Sequence, residues 1–174
     1  MKKTLEDVTI RSSEVRDVEL LCAWWANGTV MAHAGFPNGL KTDKDKLKEL
    51  IINQKDQLDV QRLIIEHNQY RIGEMIYRKT ADYEYEIGIK VCDFNLHSKG
   101  IGTKALTILI TYLFDELNAK RIHLDTNLKN TGAQKFYERL GFKKYDTKID
   151  VWKDQVGNMQ SAIYYELDKE SFTK

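Results

Sequence analysis

At 174 residues the chain is long enough to bury one full hydrophobic core and short for two. Apolar residues make up 42% and charged residues 30%, and 27 Lys and Arg stand against 26 Asp and Glu. So even a balance supplies no global attraction for nucleic acid or a membrane surface, and two cysteines, Cys22 and Cys92, are too few for a disulfide framework or a zinc site.

In chain order, Met1-Lys2-Lys3 runs at once into polar Thr4, Glu6 and Asp7 with no apolar leader, so a cytoplasmic protein is expected. Val8 to Arg11 reads as a short strand. Ser12 or Ser13 caps a helix from about Glu14 to Ala26, with Val15, Val18, Leu21, Cys22 and Trp25 at helical spacing. Asn27 to Leu40 is loop chemistry, rich in Gly and holding Pro37, the single proline. Thr42 or Asp43 caps a second helix to about Gln54. Strands follow at Val60–Glu66, Arg71–Lys79 and Tyr83–Val91. In the last, Glu84, Glu86, Gly88 and Lys90 share one face and Tyr83, Tyr85, Ile87, Ile89 and Val91 the other. A helix over Gly100–Leu117, a strand over Arg121–Thr126, a short helix over Thr131–Leu140 and two strands near Phe142–Trp152 and Met159–Leu167 complete the chain. The order is βααβββαβαββ: an α/β domain spanning 1–174, with six to seven strands in a mixed sheet. No linker or repeat divides it.

The segment Val91 to Ala105 carries the strongest local chemistry. A strand ends, a polar loop turns, and Gly100 and Gly102 open an amphipathic helix. Glycines let the backbone approach an anion closely, and the first helical N–H groups lack intrahelical partners, so the turn is built to hold phosphate. A Walker loop is excluded, because Gly102 is followed by Thr103 rather than Lys. Gly100, Gly102 and Ala105 match G-x-G-x-x-A literally, but a dinucleotide site needs that motif to follow its strand directly within a chain of βαβ units.

Two motifs together resemble the GNAT superfamily of acetyl-coenzyme-A-dependent acetyltransferases. His97-Ser98-Lys99-Gly100-Ile101-Gly102 is similar to its pyrophosphate loop, [QR]-x-x-G-x-[GA], with His97 where Gln or Arg is usual. Asn130-Thr131-Gly132-Ala133-Gln134-Lys135-Phe136-Tyr137-Glu138-Arg139-Leu140-Gly141-Phe142 looks like its second signature, N-x-x-A-x-x-F-Y-x-x-x-G-F. In physical terms, Asn130 caps a helix, Ala133, Phe136, Tyr137 and Leu140 form its apolar face, and Gly141 ends it. The tail around Trp152–Gly157 and Ile163–Leu167 is similar to the branch holding the ribosomal-protein N-terminal acetyltransferases.

The resemblance implies direct transfer of acetyl from acetyl-coenzyme A to a primary amine. Glu86 is then the base, with Glu84 on the same face second or lining the acceptor site, and Tyr137 the acid that protonates the leaving sulfur. The cofactor would be held by Ile89, Val91, His97, Ser98, Lys99, Gly100, Ile101, Gly102, Thr103, Asn130, Ala133, Phe136 and Tyr137, with Lys99 and Lys104 adding positive charge. Trp25, His33 and Phe36 are expected at the acceptor site. Acceptor candidates are a protein N-terminus, an aminoglycoside, a polyamine or a small amine, and a homodimer through the C-terminal strands fits the family. No metal, nucleic acid or membrane partner is implied. An α-amine with pKa near ~8 needs less help losing its proton than a lysine-like amine near ~10.4. The alternative is a regulatory module that binds acyl-coenzyme A without transfer.

Overall fold

Alternating apolar residues build the sheet, and the two faces they create recruit different helices. On the strand Val60–His67, Leu63 and Ile65 point to one side and Ile64 to the other, and all three are fully buried. The computed structural model describes residues 1–173. Its strands are β1 (Lys2–Leu5), β2 (Val8–Ser12), β3 (Val60–His67), β4 (Tyr70–Ala81), β5 (Glu84–Val91), β6 (Arg121–Asn127), β7 (Lys143–Lys153) and β8 (Met159–Leu167). Its helices are α1 (Val18–Ala26), α2 (Gly28–Met31), α3 (Lys44–Gln54), α4 (Ile101–Asp115) and α5 (Thr131–Arg139), with 3₁₀ turns at Val15–Asp17, Ala32–Ala34 and Phe94–Leu96.

The strands form one sheet in the order β1-β2-β3-β4-β5-β6-β8-β7. Every neighbouring pair is antiparallel except β5 and β6, which run parallel because α4 carries the chain back across the sheet between them. The larger core lies on the α4 and α5 side, where Leu106, Leu109, Ile110 and Leu113 meet Met75, Tyr77, Ile122 and Tyr165. The smaller core lies on the opposite face, where α1 and α3 bring Leu21, Cys22, Trp25, Leu47 and Ile51 onto Ile64. Cys22 and Cys92 are buried free thiols, and burial pushes both up, Cys92 to about 12, as expected of packing residues.

Two expectations need correction. The sheet has eight strands rather than six or seven, because Lys2–Leu5 pairs antiparallel with β2. Its sequence, Lys-Lys-Thr-Leu, lacks alternation because it is a charged outer strand, and the tight turn at Glu6 (φ 54) uses no glycine. The first helix starts later than Glu14: a 3₁₀ turn precedes it, and buried Asp17 accepts the Glu14 N–H at 2.8 Å and is gripped by Arg11. Among the described residues no helix is long and apolar enough to cross a membrane.

Candidate active site

The site begins where two parallel strands part. β5 and β6 are in register only from Glu84↔Arg121 to Glu86↔His123. Beyond that, β6 stays paired with β8 through Asn127, and β5 stays paired with β4 through Val91. The edge of Ile87–Val91 that faces β6 therefore has no strand against it among the described residues, and apart from the Val91 carbonyl its backbone groups are open to an extended ligand. Ile89 and Val91 turn their side chains onto the main core, so the backbone is what they offer the gap.

At the end of this gap the chain makes its glycine loop. Gly100 is left-handed (φ 78) and is the N-cap of α4, yet no side chain caps the helix. The N–H groups of Ile101, Gly102 and Thr103 meet no protein acceptor among the described residues; the first amide to do so is that of Lys104, on the Gly100 carbonyl at 3.0 Å. A Cβ on Gly100 would meet nothing within 4 Å, so the concavity in front of these amides is clear. His97 folds back instead of reaching outward: its Nε2 lies 2.8 Å from the Val91 carbonyl and its ring against Phe94. It closes the loop from within. Ser98 (φ 62) and Lys99 are exposed beside the cradle. The Lys104 ammonium points away and bridges Glu6 and Asp7 at 2.7 and 2.6 Å, so its charge is already matched.

The other side of the gap is supplied by α5. Asn130 Oδ1 accepts the Ala133 N–H at 3.1 Å, which commits Asn130 to capping the helix, and Ala133 packs on the core. Phe136 reaches across to Gly102. Tyr137 is 7% exposed and packed against Phe136, Phe142 and Tyr165. Its hydroxyl has no hydrogen-bond partner among the described residues, and unlike the Tyr77 hydroxyl it is not sealed from solvent. Burial, with a smaller push from the Asp125 charge, raises the phenol well above its ordinary range.

Both candidate bases lie on β5, but in different settings. Glu84 is bound to Arg121 at 3.1 Å in the closed part of the strand pair, and Arg121 also holds Glu166. Glu86 sits at the last paired register, at the mouth of the gap, 3.3 Å from Arg78 Nε. Asp125 lies on β6 just beyond the last pair. Here it is open to water along one side, while the surrounding walls and then the Glu86 charge raise its carboxyl above the ordinary range. Its position beside Glu86 depends on the parallel register of β5 and β6, a signal absent from local sequence.

Comparison with known proteins agrees with this geometry. The family model described as an acetyltransferase (GNAT) domain matches residues 7–143. The chain belongs to the GNAT acetyltransferase family. The GNAT chain is 25% identical over 162 residues to the uncharacterised N-acetyltransferase YnaD of Bacillus subtilis (strain 168), covering 89% of this chain and 94% of that one. It is 26% identical over 178 residues to the uncharacterised N-acetyltransferase p20 of Bacillus licheniformis, covering 96% of each. Its fold superposes on the spermidine N-acetyltransferase of Vibrio cholerae, solved in complex with CoA and spermine, with a TM-score of 0.84 at 19% identity over 96% of this chain and 98% of that one.

GNAT acetyltransferases use acetyl-coenzyme A as co-substrate, and the unclaimed amides at the start of α4 and the clear space over Gly100 fit its pyrophosphate. The opposite face of this GNAT sheet is roofed by the α1–α3 connection. The C-terminal hairpin holds that roof down: the Gln155 N–H donates to the Gly35 carbonyl at 2.8 Å, its side chain donates to the Gly39 carbonyl at 2.9 Å, and it accepts the Asn38 N–H at 2.9 Å. Trp25 is buried, donates Nε1–H to Glu74 at 2.7 Å and lines a cavity. Phe36 packs onto the smaller core, whereas His33 is exposed on the 3₁₀ turn that lies over β6.

Proposed function

We propose that this GNAT enzyme moves the acetyl group of acetyl-coenzyme A directly to a primary amine, with Glu86 and Tyr137 on either side of the β5–β6 gap. What supports this reading is that Glu86 stands where the β5–β6 pairing ends, the uncapped start of α4 follows β5, and Tyr137, whose hydroxyl has no partner among the described residues, feels the charge of Asp125 on β6. Acetyl-coenzyme A supplies an acyl group already activated as a thioester. The chain does the rest. Amides along Ile87–Val91 orient the acyl carbonyl, and those of Ile101–Thr103 hold the pyrophosphate. Glu86 takes a proton from the acceptor ammonium, leaving a nucleophilic amine. The amine nitrogen bonds to the acyl carbon and the carbon–sulfur bond breaks. Tyr137, whose raised pKa keeps its proton in place at neutral pH, gives that proton to the departing sulfur, and the surplus proton on nitrogen passes through water to restore the phenol. Glu84, tied to Arg121, fits a structural role better than that of base.

A homodimer, on this reading, forms through β7, whose outer edge is unpaired and carries exposed Tyr145, Ile149 and Val151. The test of transfer is calorimetric titration with acetyl-coenzyme A followed by a thiol-release assay over a panel of amines. Micromolar binding and amine-dependent thiol release are expected. Binding with no release for any amine, or Glu86→Gln leaving both turnover and its pH profile unaltered, would refute direct transfer with Glu86 as base.

A further inference from the structure

The face of the sheet under α1 and α3 holds a cavity of about 570 Å³ whose polar groups fall outside the transfer chemistry above. Cross-strand pairs on this face read Glu74↔Lys90, Ile76↔Gly88 and Arg78↔Glu86. Gly88 puts no side chain between Glu86 and Lys90, each about 7 Å away along the strand, leaving the cross-strand Ile76 methyl beside it, and it lies beyond the last residue of β5 paired with β6. The cavity starts at Lys90 and runs under an apolar wall that includes Trp25, Leu47 and Leu50. An amine placed over Gly88 therefore has a carboxylate on one side and the cavity on the other.

The cavity is cationic. Lys41, Lys46, Arg62 and Lys90 line it against only Asp43 and Glu74. Glu74, 2% exposed, is already saturated: it accepts from Trp25 Nε1, from Arg62 Nη1 and from Lys90 Nζ at 3.4 Å. Asp43 is spent on capping α3. Arg62 Nε, a donor with no acceptor role, is buried without a partner, and so is Thr42 Oγ1 on the same wall. Both atoms are sealed from solvent, whereas Lys41 and Lys46 ion-pair with no carboxylate among the described residues, so the charge a ligand can reach in the cavity is positive. Meanwhile no Asp or Glu occurs between Asn27 and Thr42, so the roof offers nothing to a polycation.

Resting on the acetyl-transfer reading above, we infer that the acceptor is a small amine that also carries an acid group and an apolar side chain, of which apolar α-amino acids are the simplest members. Its acid group meets Lys90 and Arg62, its apolar group lies under Trp25, and its amine faces Glu86. Polyamines and uncharged amides are disfavoured.

The experiment is calorimetric titration of the CoA-saturated protein with leucine and leucinamide, phenylalanine and phenylalaninamide, and spermidine, at low and at moderate salt. Each acid is expected to bind at least tenfold more tightly than its amide and than spermidine, with the margin shrinking in salt. Lys90→Gln is expected to raise the acid's Kd to that of the amide. An amide or spermidine binding as tightly as the acid overturns the inference, as does an acid preference that survives Lys90→Gln. The acid–amide comparison requires no variant, so it decides even if the variant misfolds. Thiol release over the same panel separates the two claims: selective acid binding without release overturns transfer and upholds the anion-binding cationic pocket, whereas equal release from acid and amide upholds transfer and overturns the pocket's selectivity.

Discussion

Gly102 and Phe136 face each other closely: a Cβ built on Gly102 would stand 3.3 Å from Phe136 Cζ. One residue opens α4 and the other belongs to α5, so the two signature motifs are a single packed contact. Gly102→Ala gains helix propensity of up to ~1 kcal/mol but must displace the Phe136 ring by a few tenths of an ångström. The expected result is a stability change within about 1 kcal/mol and an acetyl-coenzyme A Kd raised roughly tenfold, the loss of about one charge-assisted contact. Gly100→Val, with its Cβ in open space at φ 78, should weaken binding further by filling the cradle. Calorimetry and thermal melts on both variants check this.

Tyr137→Phe removes a hydroxyl that holds no protein partner. Thermal stability and acetyl-coenzyme A affinity are expected to stay near wild type, while kcat falls by about 10²-fold or more, the usual worth of a positioned acid. Because burial keeps the phenol protonated well above its ordinary range, the wild-type rate should show no alkaline limb from Tyr137 up to about pH 10. A stopped-flow pH profile of both proteins tests the pair of statements.

Asp125 carries a carboxyl raised by the walls of the site and then by Glu86. Between its ordinary pKa and the raised one the folded protein holds more protons than the unfolded chain, so its stability falls as pH rises through that window. Asp125→Asn should therefore melt at a higher temperature than wild type at pH 7, with the difference vanishing as pH falls below the ordinary value of 3.8. Melts across pH 3 to 8 decide it, and a destabilised variant at neutral pH would contradict the assignment. Lower turnover in the same variant would show that the strain serves the site.

Gln155 ties the C-terminal hairpin to the roof through two side-chain hydrogen bonds. Gln155→Ala breaks both at a cost of about 1 to 3 kcal/mol. The KM for the amine is expected to rise several-fold while the acetyl-coenzyme A Kd stays the same, since the cradle lies on the other side of the sheet. Steady-state kinetics with the amine varied, together with direct co-substrate titration, resolve the two constants.

Much of this protein is determined by local sequence alone. Gly100 and Gly102 before an apolar helix specify a left-handed turn with no side-chain cap, which leaves the first helix amides unclaimed. Asn130 through Gly141 specifies a capped helix with Tyr137 on its apolar face, and the alternation in β5 puts Glu84, Glu86, Gly88 and Lys90 on one side. Each of these depends on neighbours a few residues away. Tertiary structure decided the rest. The parallel register of β5 and β6 ends at Glu86, which separates that carboxylate from Glu84 and brings Asp125 beside it. Pairing with β2 made a strand of Lys2–Leu5, whose side chains carry no alternation to announce it. The cationic cavity joins Lys90 on one strand, Arg62 on another and Lys46 on a helix, and charges so far apart in sequence meet only because the sheet and its helices fold them onto one face.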